Sequence, residues 1–535
     1  MGYSGREKFD RIIHGKTVNT YREILAEKNA MWTDLYELTM AQALFRAGLH
    51  NQIATFHYFH RASPFKGQPL FTGGQNILHE FFDRFFKFDD LAITLLSEQV
   101  MPHSSAKIFQ DENFLNLLRQ MKNELTIEAM PEGEVAFPQE PIYRVTGPLY
   151  QCLIAESAIL NTMNSQSLFV TYANMYRRIT DDFPLMEGGM RRAQAVGGIE
   201  SSRAGFIGGF DHSTNCNTLY YYGAPQRGTM AHAFIMLFES EIEAIDTWLT
   251  HAAHMPIFLV DTYHSLDGVR HVIERCKEKN IALKGIRLDS GDLTYLSQKA
   301  RQLLDEAGFT EAIIIGSNDL DLLIIQELKA QGAAIDSWQI GTNFVSAKDQ
   351  PALGGVYKLA AVYDKNLLHN DILKLHDDVQ NNIITRDQAL LHVHEKMKVS
   401  EQPIKMTLPG VTDVIRTIDK NDKFTGDIIV ASYDQSFITK GLLNRDIHSI
   451  RPDNPLRQKL FKAGLKAYNP LVPIMKKGEL IGDIETIYEA RARVKIQSSR
   501  LDPSHLRLLN PHKYVAGVEK ELYYRQKSMA EILRG

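Results

Sequence analysis

Between residues 257 and 345, short β-branched apolar runs stop four times at clusters of small polar and charged residues, and each cluster turns into an amphipathic pattern. The runs are Ile257 to Asp261 into Thr262, Ile281 to Asp289 into Ser290-Gly291-Asp292, Ile313 to Gly316 into Ser317-Asn318-Asp319, and Ser337 to Gly341 into Thr342-Asn343. Serial strand-to-helix units predict a parallel sheet, and a barrel of such units gathers its strand ends at one mouth. A polyanionic, hydroxyl-rich ligand suits such a mouth. Apolar spacings of three and four residues predict helices through Leu266, Val269, Val272, Ile273 and Cys276, through Leu293, Leu296, Ala300, Leu303 and Leu304, and through Leu320, Ile324 and Leu328.

The flanks read differently. Residues from about 1 to 30 are polar and predict a loosely attached arm. Thr33 or Asp34 can cap a helix running through Leu38, Ala41 and Leu44 to Gly48. Strands are predicted at Ile53 to His60, Leu125 to Met130 and Ile142 to Thr146, and a helix after Gly147-Pro148. The tandem region runs from roughly 150 to 360. Asn366 to Met397 is polar and interrupted, and strands resume near Ile404 to Leu408 and Asp427 to Ser432.

Composition narrows the partners. The chain has 535 residues and a formal net charge of -4, so no basic excess draws it to nucleic acid or anionic lipid. A small substrate is expected. Cys152, Cys216 and Cys276 lie far apart with no Cys-x-x-Cys pair, which fits a reducing cytoplasm better than a disulfide framework or zinc knuckle. No run of about 18 apolar residues and no export signal is visible.

The densest chemistry is Arg287-Leu288-Asp289-Ser290-Gly291-Asp292. Strand alternation points Arg287 and Asp289 to one side, where Arg287 offers a planar fork for phosphate or carboxylate and Asp289 can meet magnesium-held diphosphate or a ribose hydroxyl. A helix opening at Ser290 would offer free amides to an anion, although a plain cap with an Arg-Asp pair explains the same residues. Gly316-Ser317 and Gly341-Thr342 put a glycine and a hydroxyl at two successive strand ends, where phosphate could approach the backbone. His232, in Gly228-Thr229-Met230-Ala231-His232, could act as acid, base or nucleophile toward phosphorus, or simply be a packed side chain. Arg191-Arg192 and Asp211-His212-Ser213-Thr214-Asn215 could add cationic and hydroxyl contacts.

Other signals weigh against metals and nucleotide folds. His392-Val393-His394-Glu395 looks like a ligand cluster, but Thr385-x-x-Gln388 predicts a helix that would set the two histidines about 200° apart. His251 and His254 share a predicted helix face without an acidic partner. Neither a P-loop nor a well-placed Gly-x-Gly-x-x-Gly occurs.

In order and wording these motifs resemble the nicotinate phosphoribosyltransferase family: Thr33-Asp34-Leu35-Tyr36, Ala54-Thr55-Phe56, Arg191-Arg192-Ala193-Gln194, Gly209-Phe210-Asp211, Gly228-Thr229-x-Ala231-His232, Arg287-x-Asp289-Ser290-Gly291-Asp292, Ser317-Asn318-Asp319, Leu353-Gly354-Gly355-Val356-Tyr357-Lys358-Leu359 and Leu508-Leu509-Asn510-Pro511-His512. The resemblance implies an α/β fold with an irregular (β/α) barrel of the type II phosphoribosyltransferase kind and a second α/β domain formed by both chain ends. The corresponding division is 1–148, a barrel with the active site over 149–365, an insertion over 366–397, and 398–535 completing the second domain. It implies transfer of phosphoribose from 5-phosphoribosyl 1-diphosphate to nicotinate, coupled to ATP through a phosphohistidine, in a homodimer with shared active sites and with Mg2+. By position His232 resembles the phosphorylated histidine. Arg287, Asp289, Ser317, Gly341 and Thr342 resemble phosphoribose and phosphate contacts, Gly316 and Thr214 are further expected substrate-binding residues, and Asp261 with Asp289 resemble the magnesium-diphosphate contacts. Tyr36 resembles the aromatic that stacks on the pyridine ring from the neighbouring subunit, and Arg191 or Arg192 the cation facing the nicotinate carboxylate or a phosphate. The wording departs from the family at Gly188, where an aromatic is frequent, and at Ala233, where a polar residue is frequent.

Three other readings fit parts of the pattern. They are a nicotinamide phosphoribosyltransferase, a phosphosugar aldolase using Lys284 or Lys358, and an inactive ligand-binding barrel.

Overall fold

The computed structural model describes residues 29–534 except 253, 403, 404 and 435; the arm expected before residue 29 lies outside the described residues. Two compact units emerge, one from residues 169–351 and one from 29–168 with 352–534. The division falls inside the helix Glu156–Thr180 at one end and just before the strand Gly355–Tyr363 at the other, rather than near 148 and 365.

The first unit holds the strand-helix repeats. Its strands are β1 (Leu185–Glu187), β2 (His212–Ser213), β3 (Ile257–Leu259), β4 (Gly285–Leu288), β5 (Ile313–Gly316) and β6 (Ser337–Ile340). All pair in parallel in the order β2-β1-β6-β5-β4-β3, an open half-barrel with β2 and β3 at its edges. Alternation sorts the side chains. Phe258, Ile286, Leu288, Ile314, Trp338, Ile340 and Leu185 are buried on one face, where helices follow each strand. Helices Ser265–Glu278 and Leu293–Glu306 bury the expected Val269, Val272 and Cys276, and Leu293, Ala300 and Leu304. The third helix differs from its predicted stripe: it spans Leu322–Ala330 and buries Leu322 and Ile325, while Ile324 is exposed. Asp321 is the reason, since its carboxylate caps Leu323 N and Ile324 N and so starts the helix after Leu320.

The second unit joins both chain ends. A seven-stranded sheet runs in the order Val393–Glu395, Gly355–Tyr363, Ile53–His60, Tyr143–Pro148, Thr126–Ala129, Val472–Lys476, Glu479–Leu480, so segments from both ends pair edge to edge. An eight-stranded sheet is built from residues 412–519. Arg416, fully buried, pairs with Asp427 at 2.6 Å and with Glu134 at 2.6 Å, tying that sheet to the N-terminal half. Residues 405–408 form no strand, contrary to expectation. The expected insertion is ordered instead: helix His369–Gln380, a short helix Arg386–Leu390 opened by the Thr385/Gln388 capping box, and an edge strand, all closing over Ile372, Val379, Ala389 and Val393. The helix stops at Leu390, so His392 and His394 flank Val393 on that strand and both bond Asp364, at 2.8 and 2.7 Å. The expected 200° separation does not arise. Likewise the helix Glu241–His251 ends at His251, and His254 lies beyond it.

Candidate active site

The face of the half-barrel opposite the helices carries the chemistry. Cα pairings of Leu259 with Arg287, Arg287 with Ile315 and Ile315 with Ser337 align one row of side chains. Two residues further on, at the carboxyl ends, this row becomes Asp261, Asp289, Ser317 and Gln339, with Gly188 beyond Met186, the partner of Gln339. In open parallel sheets this edge is where ligands bind.

Short bonds lock the row. One carboxylate oxygen of Asp261 accepts from Asp289 N at 2.9 Å and from Ser290 Oγ at 2.7 Å. The other, Oδ1, is buried without a partner. Ser317 Oγ donates to Asp289 Oδ1 at 2.5 Å. Asn318, next in the chain, holds φ at 108°, a region sparsely used by residues other than glycine, so the loop after β5 is bent by the local bonding rather than by a glycine. The Asp292 carboxylate caps Tyr295 N, so part of the amide array expected to favour an anion is already engaged by the chain itself.

His232 joins this cluster from the short helix His232–Met236. Its Nδ1 hydrogen-bonds Thr262 Oγ1 at 3.1 Å, and its Nε2 lies 3.8 Å from Asp289 Oδ2. Thr262 was not among the expected residues; its only signal was its place directly after Asp261. Arg287 Nη1 donates to Gln339 Oε1 at 3.3 Å, while Arg287 Nε is buried without a partner. Burial lowers the guanidinium's affinity for its proton; Asp289 and Asp261 oppose that, and the nearby Arg191 adds to it. Arg191 and Arg192 are exposed on the turn Met190–Arg192, and Arg191 Nη1 donates to Gly188 O at 3.2 Å.

One expected contact sits differently. Gly316 lies on the helix-facing side, where a Cβ would come 2.9 Å from Ile335, so its neighbour Ser317 alone faces the cluster. Thr214, half-buried, follows Ser213 at the end of β2 beside Gly188, which alternation puts on the site-facing side, and it donates its N–H to Glu187 O at 2.9 Å. Gly341 and Thr342 open the short helix Thr342–Val345, which Asn343 anchors by donating to Asp319 O and Leu320 O. Glu187, also unexpected, is fully buried and accepts from Ser202 Oγ and Ser213 Oγ, each at 2.7 Å, and from Gly189 N. It fixes the turn that carries Arg191. Burial raises its carboxyl above the usual range despite these donors.

Tyr36 belongs to the other unit. It stands half-exposed in the first turn of the helix Leu35–Arg46, beside buried Glu37, and burial together with Glu156 and Glu37 pushes its phenol up. The aldolase lysines are poorly placed for imine chemistry. Lys284 precedes β4, at the end of the strand away from Asp289. Lys358 Nζ donates to Tyr357 O at 2.7 Å and lies 3.7 Å from Glu156.

Profiles of the nicotinate phosphoribosyltransferase N-terminal and C-terminal domains match residues 31–164 and 412–526. The nicotinate phosphoribosyltransferase of Bacillus subtilis is 34% identical over 466 residues, covering 82% of this chain and 86% of that protein. The chain belongs to the nicotinate phosphoribosyltransferase family. A Caenorhabditis elegans nicotinate phosphoribosyltransferase is 29% identical, covering 92% of this chain and 91% of its own. The crystal structure of human nicotinic acid phosphoribosyltransferase superposes with a TM-score of 0.72 at 25% identity, covering 93% of this chain and 99% of that one. A nicotinate-nucleotide pyrophosphorylase from Pyrococcus furiosus shares the fold, with a TM-score of 0.60 at 18% identity and coverage of 94% and 97%. The expected irregular barrel, with a second domain formed by both chain ends, is the architecture of this nicotinate phosphoribosyltransferase family member.

Proposed function

We propose that the protein transfers the phosphoribosyl group of 5-phosphoribosyl 1-diphosphate to the ring nitrogen of nicotinate, giving nicotinate mononucleotide and diphosphate for NAD synthesis. The observation that carries this reading is the single face that Asp261, Arg287, Asp289 and Ser317 share at the strand ends of a chain in this family. The reaction breaks the ribosyl C1–O bond and forms a C1–N bond, so positive charge grows on the sugar and negative charge on the departing diphosphate. Arg287 supplies fixed positive charge for that leaving group. Asp289, held by Ser317, is placed to accept from ribose hydroxyls.

Mg2+ fits the donor set. Asp261 Oδ1 is buried and unpartnered beside Asp289, and two carboxylates completed by phosphate oxygens of the substrate are a usual set for this ion. Among the described residues no three acidic, histidine or cysteine side chains group as a metal site, so substrate oxygens would complete the shell. When bound, the ion supplies further positive charge against the diphosphate.

ATP serves as co-substrate. His232 Nε2 attacks the γ-phosphorus, an N–P bond forms, ADP leaves, and water later releases phosphate. Thr262 on Nδ1 supports Nε2 as the attacking atom. A homodimer in which Tyr36 of the partner subunit stacks on the pyridine ring is supported by the exposed Leu35, Tyr36 and Met40 on one helix. The free thiols Cys152, Cys216 and Cys276 fit a cytoplasmic setting, and among the described residues no helix is long and apolar enough to cross a membrane.

The test is an assay with nicotinate or nicotinamide, 5-phosphoribosyl 1-diphosphate and Mg2+, with and without ATP, following mononucleotide, ADP and diphosphate. Mononucleotide from nicotinate, stimulated by ATP and unstimulated in His232→Ala, is expected. No mononucleotide would refute the transfer, and full ATP stimulation in His232→Ala would refute the phosphohistidine.

A further inference from the structure

Gln339 is the residue of the site-facing row that the family resemblance did not assign. It lies on β6 opposite Met186 of β1, is 9% exposed, and has its side chain on the same face as Arg287 and Asp289. Two observations fix what it does there. The first is steric. Gly188 has no side chain, and a Cβ built on it would come 2.5 Å from Gln339 Nε2 and 3.1 Å from its Cγ, so the carboxamide fills the volume above Gly188. The second is polar. Arg287 Nη1 donates to Gln339 Oε1 at 3.3 Å, and a guanidinium can only donate, so the amide oxygen faces Arg287 and the NH2 group points away from it.

The NH2 group makes no hydrogen bond to the described residues and stays open to solvent or a ligand. Arg287 Nε is buried and unpartnered. Arg191 Nη1, already on Gly188 O, brings a third donor to the same point. Around Gly188 the chain therefore brings together the side-chain donors of Gln339, Arg287 and Arg191. Of these, Arg287 Nε is sealed from water without a partner, while the Gln339 NH2 and the Arg191 guanidinium are open to a ligand, and a planar carboxylate supplies up to four lone-pair directions.

We propose that Gln339 is a specificity-determining residue whose NH2, oriented by Arg287, binds the carboxylate of the aromatic acid substrate and discriminates against the corresponding amide. A carboxylate takes up the Gln339 NH2 and the Arg191 guanidinium together. A neutral carboxamide offers one acceptor and turns its own NH2 toward a donor, which leaves a donor of the pair without an acceptor. Gly188 has a matching role: it keeps the space over the strand end open so that the side chain at 339 can occupy it.

The inference rests on the transferase reading, and the experiment separates the two. The wild-type chain, Gln339→Met and Gln339→Glu are compared in steady-state turnover of nicotinate and nicotinamide and in calorimetric binding of nicotinate alone. Gln339→Met keeps the volume and removes the donors. It is expected to raise KM for nicotinate roughly ten- to hundredfold while KM for 5-phosphoribosyl 1-diphosphate holds and the preference for the acid shrinks. Gln339→Glu, which sets a negative charge against the carboxylate, is expected to lose more. Where Gln339→Met does not fold, Gln339→Asn, which keeps the amide but is too short to cover Gly188, gives the same readout. An unchanged nicotinate KM, or a change confined to the diphosphate substrate, overturns the proposal. Wild-type binding of nicotinate that Gln339→Met weakens, without turnover of either base, upholds it and refutes the transferase reading; no binding and no turnover refutes both.

Discussion

Lowering the pH from 7 to 5 is expected to destabilise the unit formed by the chain ends far more than an average surface would predict, because three of its histidines are sealed in neutral form. His57 and His60 lie on the central strand Ile53–His60, and His79 lies in the helix Gln75–Arg84; they are 6%, 0% and 5% exposed. Nε2 of His57 and His79 and both ring nitrogens of His60 have no hydrogen-bond partner. Burial pulls each to about 3 from a usual 6.5; at His57 the Arg144 guanidinium adds to this and Asp413 opposes it. For a base whose folded value is depressed, the stabilisation is complete above the unfolded value and drains as pH falls toward the folded one. Each histidine loses about 1.4 kcal/mol per pH unit below 6.5, so at pH 5 the three together cost about 6 kcal/mol. Whole-domain stabilities are about 5–15 kcal/mol, so the loss is decisive. Urea unfolding followed by circular dichroism from pH 7.5 to 4.5 should show a slope of three protons or more taken up, since His369, pulled to about 4 by burial and Lys477, adds to the three, and His60→Leu should reduce it by one. A midpoint that stays level between pH 7 and 5 would refute the reasoning.

Thr262→Val removes the hydroxyl on His232 Nδ1 without changing the volume, and should slow labelling of the protein by the γ-phosphate of ATP roughly two- to tenfold while leaving nicotinate binding intact. Rapid-quench labelling checks it, and an unchanged rate would show that the bond does not orient the ring. Asp413→Asn breaks a buried pair with Arg144 (2.9 Å) that also holds Ser432 and Asn469, and should cost about 3–5 kcal/mol in thermal or urea unfolding. Burial works against the Asp413 charge, but Arg144 with His376 and Ser432 holds the carboxyl down at about 2, so the wild type's share of this stability is complete above about pH 4 and drains between there and pH 2; the variant should lack that step.

The strand-helix repeats were legible because period-2 and period-3.6 patterns alternate cleanly there, and Ile313–Gly316 and Ser337–Ile340 begin and end within a residue of expectation. Where apolar residues crowd, periodicity alone misleads. Leu320, Ile324 and Leu328 satisfy a helical spacing, yet so do Leu322 and Ile325, and the cap at Asp321 selects the second set. The segment around His392 and His394 failed for a related reason. Its capping box is real, but the helix it opens lasts five residues, and strand pairing of Val393 with Tyr363 takes over once Asp364 can bond both imidazoles. That competition is tertiary, between segments 30 residues apart, and leaves no local trace.

At the site the same distinction decides what could be read. Asp261, Arg287, Asp289 and Ser317 follow from strand alternation continued one or two residues past each strand, so their convergence is a property of register. Alternation also forbids Gly316 and Ser317 from facing the cluster together, a constraint present in the sequence and enforced by Ile335 behind Gly316. Glu187 and Gln339 are of another kind. Each is an ordinary residue within an apolar run, and its meaning comes from a neighbour on a different strand: Ser213 and the turn at Gly189 for Glu187, Gly188 and Arg287 for Gln339. Gly188 shows this most plainly. Taken along the chain it is a missing side chain; across the sheet it is the space that a glutamine 151 positions later fills, because β1 and β6 pair side by side while Arg287 on β4 supplies the hydrogen bond that turns the amide.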